Sequence, residues 1–175
     1  RHLQCNHVGP FLLTKLLEPN LAAGSRVVNV ASRAHSMGAL RFDDKGDLQG
    51  ASWWWPAYCN SKLANVVLTA EQQRRWGPRG ITCVSVSPGF VASSIFTGLP
   101  WPLNAVASRI ASFVGRTTAQ GAETVIFAAT SPTITGTPEQ LLLHDCKPYA
   151  PVSAARDPQL AKLLWDWSER IVNQK

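Results

Sequence analysis

Arg26-Val27-Val28-Asn29-Val30, followed by the small residues Ala31 and Ser32, is a short β-branched run bounded by turn-forming residues. It has no clean apolar/polar alternation, so it reads as a strand buried on both faces, as in a parallel sheet. Upstream, Val8, Phe11, Leu12, Leu16 and Leu17 fall at helical spacing, and Pro19, Asn20 and Gly24 close that segment. Residues 1–17 thus read as helix, with Pro10 in its first turns or at a kink. Downstream, residues 33–56 read as a long polar loop ending in Trp53-Trp54-Trp55-Pro56. Loops of that length are uncommon unless they carry function.

A helix is expected from about Ala57 to Trp76, with Leu63, Val66, Val67 and Ala70 on its apolar face. Pro56 suits its first turn and Gly77-Pro78 stops it. Ile81 to Val86 is a second buried strand, ended by Ser87-Pro88-Gly89. Leu103, Val106, Ile110 and Phe113 mark a short amphipathic helix, which serves either as a substrate lid or as core packing. The Thr117-x-x-Gln120 pattern is a capping box and opens a helix to about Ala129. Gln140 to Leu143 is a third strand, and Asp157-Pro158 opens a last helix with Leu160, Leu164, Trp167 and Ile171 on one side.

Strands alternating with helices predict an α/β fold: a doubly wound parallel sheet joined by right-handed crossovers. At 175 residues, 1–175 is expected to be a single domain. Three strands are few for such a sheet, and the chain opens on Arg1 rather than Met, so the first strands are expected to lie outside it.

Apolar residues are 45% of the chain and charged residues 16%, a globular composition rather than a disordered one. The net charge is +6 but the cations form no block, and the densest group (Arg74, Arg75, Arg79) sits where a helix ends and complements its dipole. Nucleic-acid binding is therefore not expected. Cys5, Cys59, Cys83 and Cys146 make neither a disulfide framework nor a metal-ligand pair, and read as buried free thiols of a reducing, intracellular compartment. His2, His7, His35 and His144 are too dispersed for a metal site, so none is expected. No apolar run reaches the ~18 residues a membrane span needs.

Chemistry concentrates in Tyr58-Cys59-Asn60-Ser61-Lys62. Residues four apart share a helix face, so Tyr58 and Lys62 are neighbours near the helix start. Phenols titrate near pH 10 in water, and bringing one toward neutrality takes roughly 4 kcal/mol of preferential phenolate stabilisation. A fixed ammonium and the positive end of a helix are both sources of it. Ser32 follows the carboxyl end of a parallel strand, where ligands bind in open α/β sheets, so its hydroxyl could hold the same substrate oxygen. The competing reading has Tyr58 packed, Lys62 solvated and Ser32 capping a turn.

These segments resemble the short-chain dehydrogenase/reductase family, in the branch of retinol dehydrogenases and WW-domain oxidoreductase. The carriers are Asn6-His7-Val8-Gly9-Pro10-Phe11-Leu12-Leu13-Thr14, the run from Arg26 to His35, Ala57-Tyr58-Cys59-Asn60-Ser61-Lys62-Leu63-Ala64-Asn65, and Pro88-Gly89-Phe90-Val91-Ala92-Ser93, with a weaker echo from Asp145-Cys146 to Trp165. The resemblance implies a Rossmann-like fold and an NAD- or NADP-dependent interconversion of a carbonyl and an alcohol on a small apolar substrate (retinoid, steroid or lipid-like). It also implies roles: Tyr58 as acid/base, Lys62 as its amine and ribose ligand, Ser32 as the polarising hydroxyl, and Asn6 as the asparagine that helps hold a water between the lysine and solvent. Pro88, Gly89 and Val91 match the loop beside the nicotinamide, and Ser93 its carboxamide- or phosphate-contacting hydroxyl. A membrane-associated parent and a homo-oligomer both stay open.

Departures are informative too. The family's GxxxGxG phosphate loop is not found, and Gly46-Asp47-Leu48-Gln49-Gly50-Ala51-Ser52 follows no strand and carries a carboxylate that repels phosphate, so it reads as a flexible loop. Ala31 stands where many relatives have Ser, and Leu142 and Leu143 replace aromatic residues. His35 is expected to pack at the site edge, and Trp53 to Trp55 either floor an apolar pocket or pack a loop. The rival function is a non-catalytic truncated or interaction protein, in which exposed sheet edge and apolar surface promote association.

Overall fold

The computed structural model describes residues 1–91 and 115–173. Four strands form one sheet in the order β1 (Arg26–Val30), β2 (Thr82–Ser87), β3 (Leu142–His144), β4 (Lys147–Pro148). The first three are parallel, with Val28 opposite Val84 and Val86 opposite Leu143; β4 returns antiparallel against β3. Helices α1 (Gly9–Leu17), α2 (Trp54–Trp76), α3 (Thr118–Thr130) and α4 (Pro158–Asn173) cover both faces. The fold is α/β and Rossmann-like, as expected. Strand β2 is buried, but β1 has only β2 beside it among the described strands, so it is half-buried with Val30 exposed, and the expected burial of Arg26–Val30 on both faces does not hold.

Period-two alternation divides the core. Cys83 and Leu142 join Leu63, Val66, Val67, Trp76, Leu164 and Trp165 on the α2/α4 side. Val84, Val86 and Leu143 meet Ala128 and Ile134 on the α3 side. The helix expected around Leu103 to Phe113 lies outside the described residues.

Several expectations need correction. Helix α2 starts at Trp54, three residues before Ala57, with Pro56 in its first turn, where the missing N–H costs no helical bond. The polar loop after β1 is not irregular throughout: Arg33–Met37 is a 3-10 helix, and Phe42 bridges Leu48. Nor is the Gly46 segment loose. Arg170 of α4 donates to the carbonyls of Lys45 and Gly46 and pairs with Asp47 at 3.2 Å. At the amino end, helical spacing did not mean burial: Phe11 is buried, whereas Leu12, Leu16 and Leu17 are exposed. Two of the four free cysteines, Cys59 and Cys83, are buried; Cys5 is exposed.

Strand β4 was missed because a proline ends it and no glycine marks its turn. Asp145 and Cys146 both take left-handed φ, at 53° and 56°, which fits a two-residue type I′ hairpin. Non-glycine residues there cost on the order of 1 kcal/mol each and persist where surrounding contacts enforce them.

One close approach fixes the neighbourhood of Ser32 and Tyr58. At Gly38 the chain presses onto α2: a Cβ there would lie 2.6 Å from the Cys59 carbonyl oxygen and 2.8 Å from Leu63 Cβ. Gly38→Ala is therefore expected to cost about 2 kcal/mol in denaturant unfolding; an unchanged midpoint would show that this contact is not tight.

His7 ties the amino-terminal helix to α4. Its Nε2 lies 2.8 Å from Ser168 Oγ, whose own proton goes to the Leu164 carbonyl, so the imidazole donates. Burial pushes the His7 imidazole down to about 4. Below pH ~6.5 the unfolded chain takes up a proton that the folded chain refuses, so stability is intact above that pH and falls as the pH drops toward 4, by roughly 3 kcal/mol. His35, also lowered by burial, adds in the same direction. Melting temperatures measured from pH 7.5 to 4 are expected to fall in that window, with the fall shallower in His7→Leu; parallel profiles would refute the assignment.

Candidate active site

Val30 of β1 pairs with Val86 of β2, so the two strands release their chains side by side at their carboxyl ends. Ser32 leaves one strand and Pro88-Gly89 the other. Ser32 is held firmly. Its Oγ accepts from the Ala34 amide at 3.2 Å, and its carbonyl accepts from the His35 amide and from His35 Nδ1 at 2.8 Å. The hydroxyl therefore does cap a turn, yet capping uses one lone pair and leaves its proton for another acceptor. His35 is buried beneath that turn, edge-on to Tyr149 of the strand-end cleft.

Tyr58 and Lys62 stand one turn apart on α2, both half-buried. The Tyr58 ring stacks on Trp55 at 5.7 Å and meets His2 edge-on at 6.2 Å. Lys62 Nζ sits 5.7 Å from the centre of the same ring, a cation–π distance. The amine also donates to the Val30 carbonyl at 3.0 Å, an oxygen that it shares with Asn65 Nδ2 at 3.1 Å. Burial holds the Lys62 amine below the usual lysine range. No carboxylate pairs with it among the described residues.

Asn6 lies within a π-helical turn, Gln4–Val8, of the kind that often marks functional sites. Its Nδ2 donates to Ser61 Oγ at 3.0 Å, and Ser61 donates to the Tyr58 carbonyl at 2.7 Å. Asn6 is thus linked to the helix turn that carries the phenol.

A cleft of about 600 Å³ opens at these strand ends. Ser32, Met37, Trp55, Gly89, Phe90 and Tyr149 line it, together with Arg33, Arg116, His144 and Asp145. Tyr58 is not among its described lining residues; its ring joins the cleft through Trp55. Trp53 and Trp54 are exposed, so of the tryptophan cluster only Trp55 faces the cleft. Gly89 has φ 83°, a conformation that favours glycine. Ser93 lies outside the described residues. Sequence reasoning missed Arg116 and Asp145, which pair across the cleft from positions no motif connects. A second hollow of about 380 Å³, between Gln73, Arg74, Cys83 and Glu139, touches none of the candidate residues.

The short chain dehydrogenase family profile matches residues 1–100. The chain belongs to that family. Among dehydrogenase relatives, it is 33% identical to WW domain-containing oxidoreductase of Danio rerio, over 98% of this chain and 43% of the relative. It is 37% identical to human retinol dehydrogenase 11, over 95% and 52%. The fold of the crystal structure of an uncharacterized Mycobacterium paratuberculosis protein superposes with a TM-score of 0.67 at 27% identity, covering 97% of this chain and 57% of that one. The chain therefore spans about half the length of the curated relatives that it matches.

Proposed function

We propose that this chain supplies the catalytic side of an NAD- or NADP-dependent oxidoreductase that interconverts a carbonyl and an alcohol, with residues 1–175 acting as a single domain. One arrangement supports the reading: a half-buried phenol and an amine with no carboxylate partner among the described residues share one helix face, near a hydroxyl at the carboxyl end of a parallel strand. Tyr58 Oη gives a proton to the substrate oxygen in reduction and takes it back in oxidation. The Ser32 hydroxyl donates to that same oxygen. Lys62 binds the nicotinamide ribose and keeps positive charge beside the phenol, and Asn6 holds the turn through Ser61.

The cleft suits the nicotinamide end of a dinucleotide. Gly89, in the Pro88–Val91 loop, brings backbone, not side chain, to its wall, and Lys62, which does not itself line the cleft, keeps two N–H groups beyond the one given to Val30 at the end of β1. The nucleotide, when bound, supplies or takes the hydride. On the substrate side, Trp55, Met37, Phe90 and Tyr149 offer apolar surface, in keeping with a retinoid, steroid or lipid-like substrate and with the name of the retinol dehydrogenase relative.

The test is nicotinamide absorbance with the protein that carries this chain, using both nucleotides against retinoid, steroid and long-chain aldehydes. Turnover of an apolar aldehyde with one nucleotide is expected. No nucleotide binding and no turnover across the panel would favour the non-catalytic alternative.

A further inference from the structure

We propose that the Arg116–Asp145 ion pair is a positioning clamp that sets the Pro88–Val91 loop at the wall of the cleft, making Arg116 and Asp145 positioning residues for nicotinamide-nucleotide binding. The inference rests on the function proposed above and goes beyond it by assigning two residues to which the family resemblance gave no role.

Backbone and side chain both tie Arg116 to the loop. Its amide donates to the Phe90 carbonyl at 2.8 Å, and the segment bridges Val91 in parallel. Its side chain crosses the place where residue 89 would carry a Cβ: such an atom would lie 3.2 Å from Arg116 Cδ and Nε. Gly89, left-handed at φ 83°, is covered by the arginine stem instead of by a side chain of its own.

The other end of the clamp is Asp145, which accepts from the Arg116 guanidinium. That hydrogen bond holds the Asp145 carboxyl below its usual range. Around the pair stand Arg33, whose charge acts on Asp145, Glu123, whose charge acts on Arg116, and His144, whose Nε2 is 3.6 Å from the same carboxylate oxygen. His144 is anchored in turn, with Nδ1 donating to the Ser87 carbonyl at 3.0 Å, and the Cys146 amide donates to Thr124 Oγ1 at 3.3 Å. The β3–β4 turn is thus fixed on both sides, and its strained left-handed backbone presents Asp145 to Arg116. A rigid, strained turn reaches through one ion pair to the loop that faces Ser32 across the cleft.

Asp145→Asn separates positioning from mere stability. Asparagine tolerates left-handed φ well, so the turn keeps its shape while the clamp loses its charge. In the protein that carries this chain, titration with reduced nicotinamide nucleotide, followed by its fluorescence, is expected to show about a tenfold weaker Kd for Asp145→Asn and for Arg116→Gln, and the same loss, not the product, for the double variant. Melting temperatures are expected to stay level, and Tyr58→Phe to bind normally. Amide exchange without nucleotide is expected to speed up at Arg116 in Asp145→Asn. Unchanged Kd and exchange, multiplying losses, or losses that follow melting temperature would overturn the clamp. If the unsubstituted protein binds no nucleotide, the proposed function fails instead, and the exchange measurement alone decides the clamp: faster exchange supports it and unchanged exchange overturns it.

Discussion

Tyr58→Phe is expected to lower turnover by roughly a thousandfold or more while leaving nucleotide affinity within about twofold, since positioned acid–base groups commonly contribute 10² to 10⁴. The structure makes this substitution unusually clean. Among the described residues, the side-chain contacts (the Trp55 stack, the His2 edge and the Lys62 ammonium) are made to the ring, and phenylalanine keeps the ring. Only the hydroxyl is lost, so folding and the cleft are preserved while the substrate oxygen loses its proton partner. Initial rates by nicotinamide absorbance, with nucleotide titration alongside, check both halves. Undiminished turnover would remove Tyr58 from the chemistry.

Lys62→Met should damage binding and rate together. Hydrogen bonds to charged groups are worth about 1.5–3 kcal/mol, so nucleotide affinity is expected to fall roughly 10- to 100-fold. Turnover is expected to fall further, because the charge beside the phenol is lost as well. Stability should hardly change: methionine keeps the apolar stem, and the Val30 carbonyl still accepts from Asn65. A titration that leaves nucleotide affinity unchanged would strike out the ribose role, whatever the rate does.

What could be read from the sequence follows from how local each signal is. The runs at Arg26 and Ile81 announce strands by β-branching alone, but only the second strand is buried, because β-branching does not say how many neighbours a strand will have. Thr117 and Gln120 form the reciprocal cap that their spacing promises, with bonds of 2.9 and 3.2 Å. Tyr58 and Lys62 are brought together by helical pitch, which needs no tertiary information. Signals failed where the partner lies far along the chain. Arg116 and Asp145 meet only after β3 is laid beside β2, and the β3–β4 turn uses Asp and Cys where hairpins usually show glycine. Ser32 caps a turn, as the competing sequence reading had it, but the extent of the 3-10 helix that it caps has no periodicity to reveal it. The leucines of α1 show the converse error: their spacing is helical, but spacing does not say what covers a face.

The doubly used carbonyl of Val30 bears on how the amine could move. A lysine that leaves a lone acceptor strands a backbone oxygen in a half-dry site, and must repay that each time it swings across. Here Asn65 Nδ2 is a second donor, so the end of β1 keeps a bond even if Lys62 leaves it. The strand tip is a mooring with two lines, one of which can be cast off.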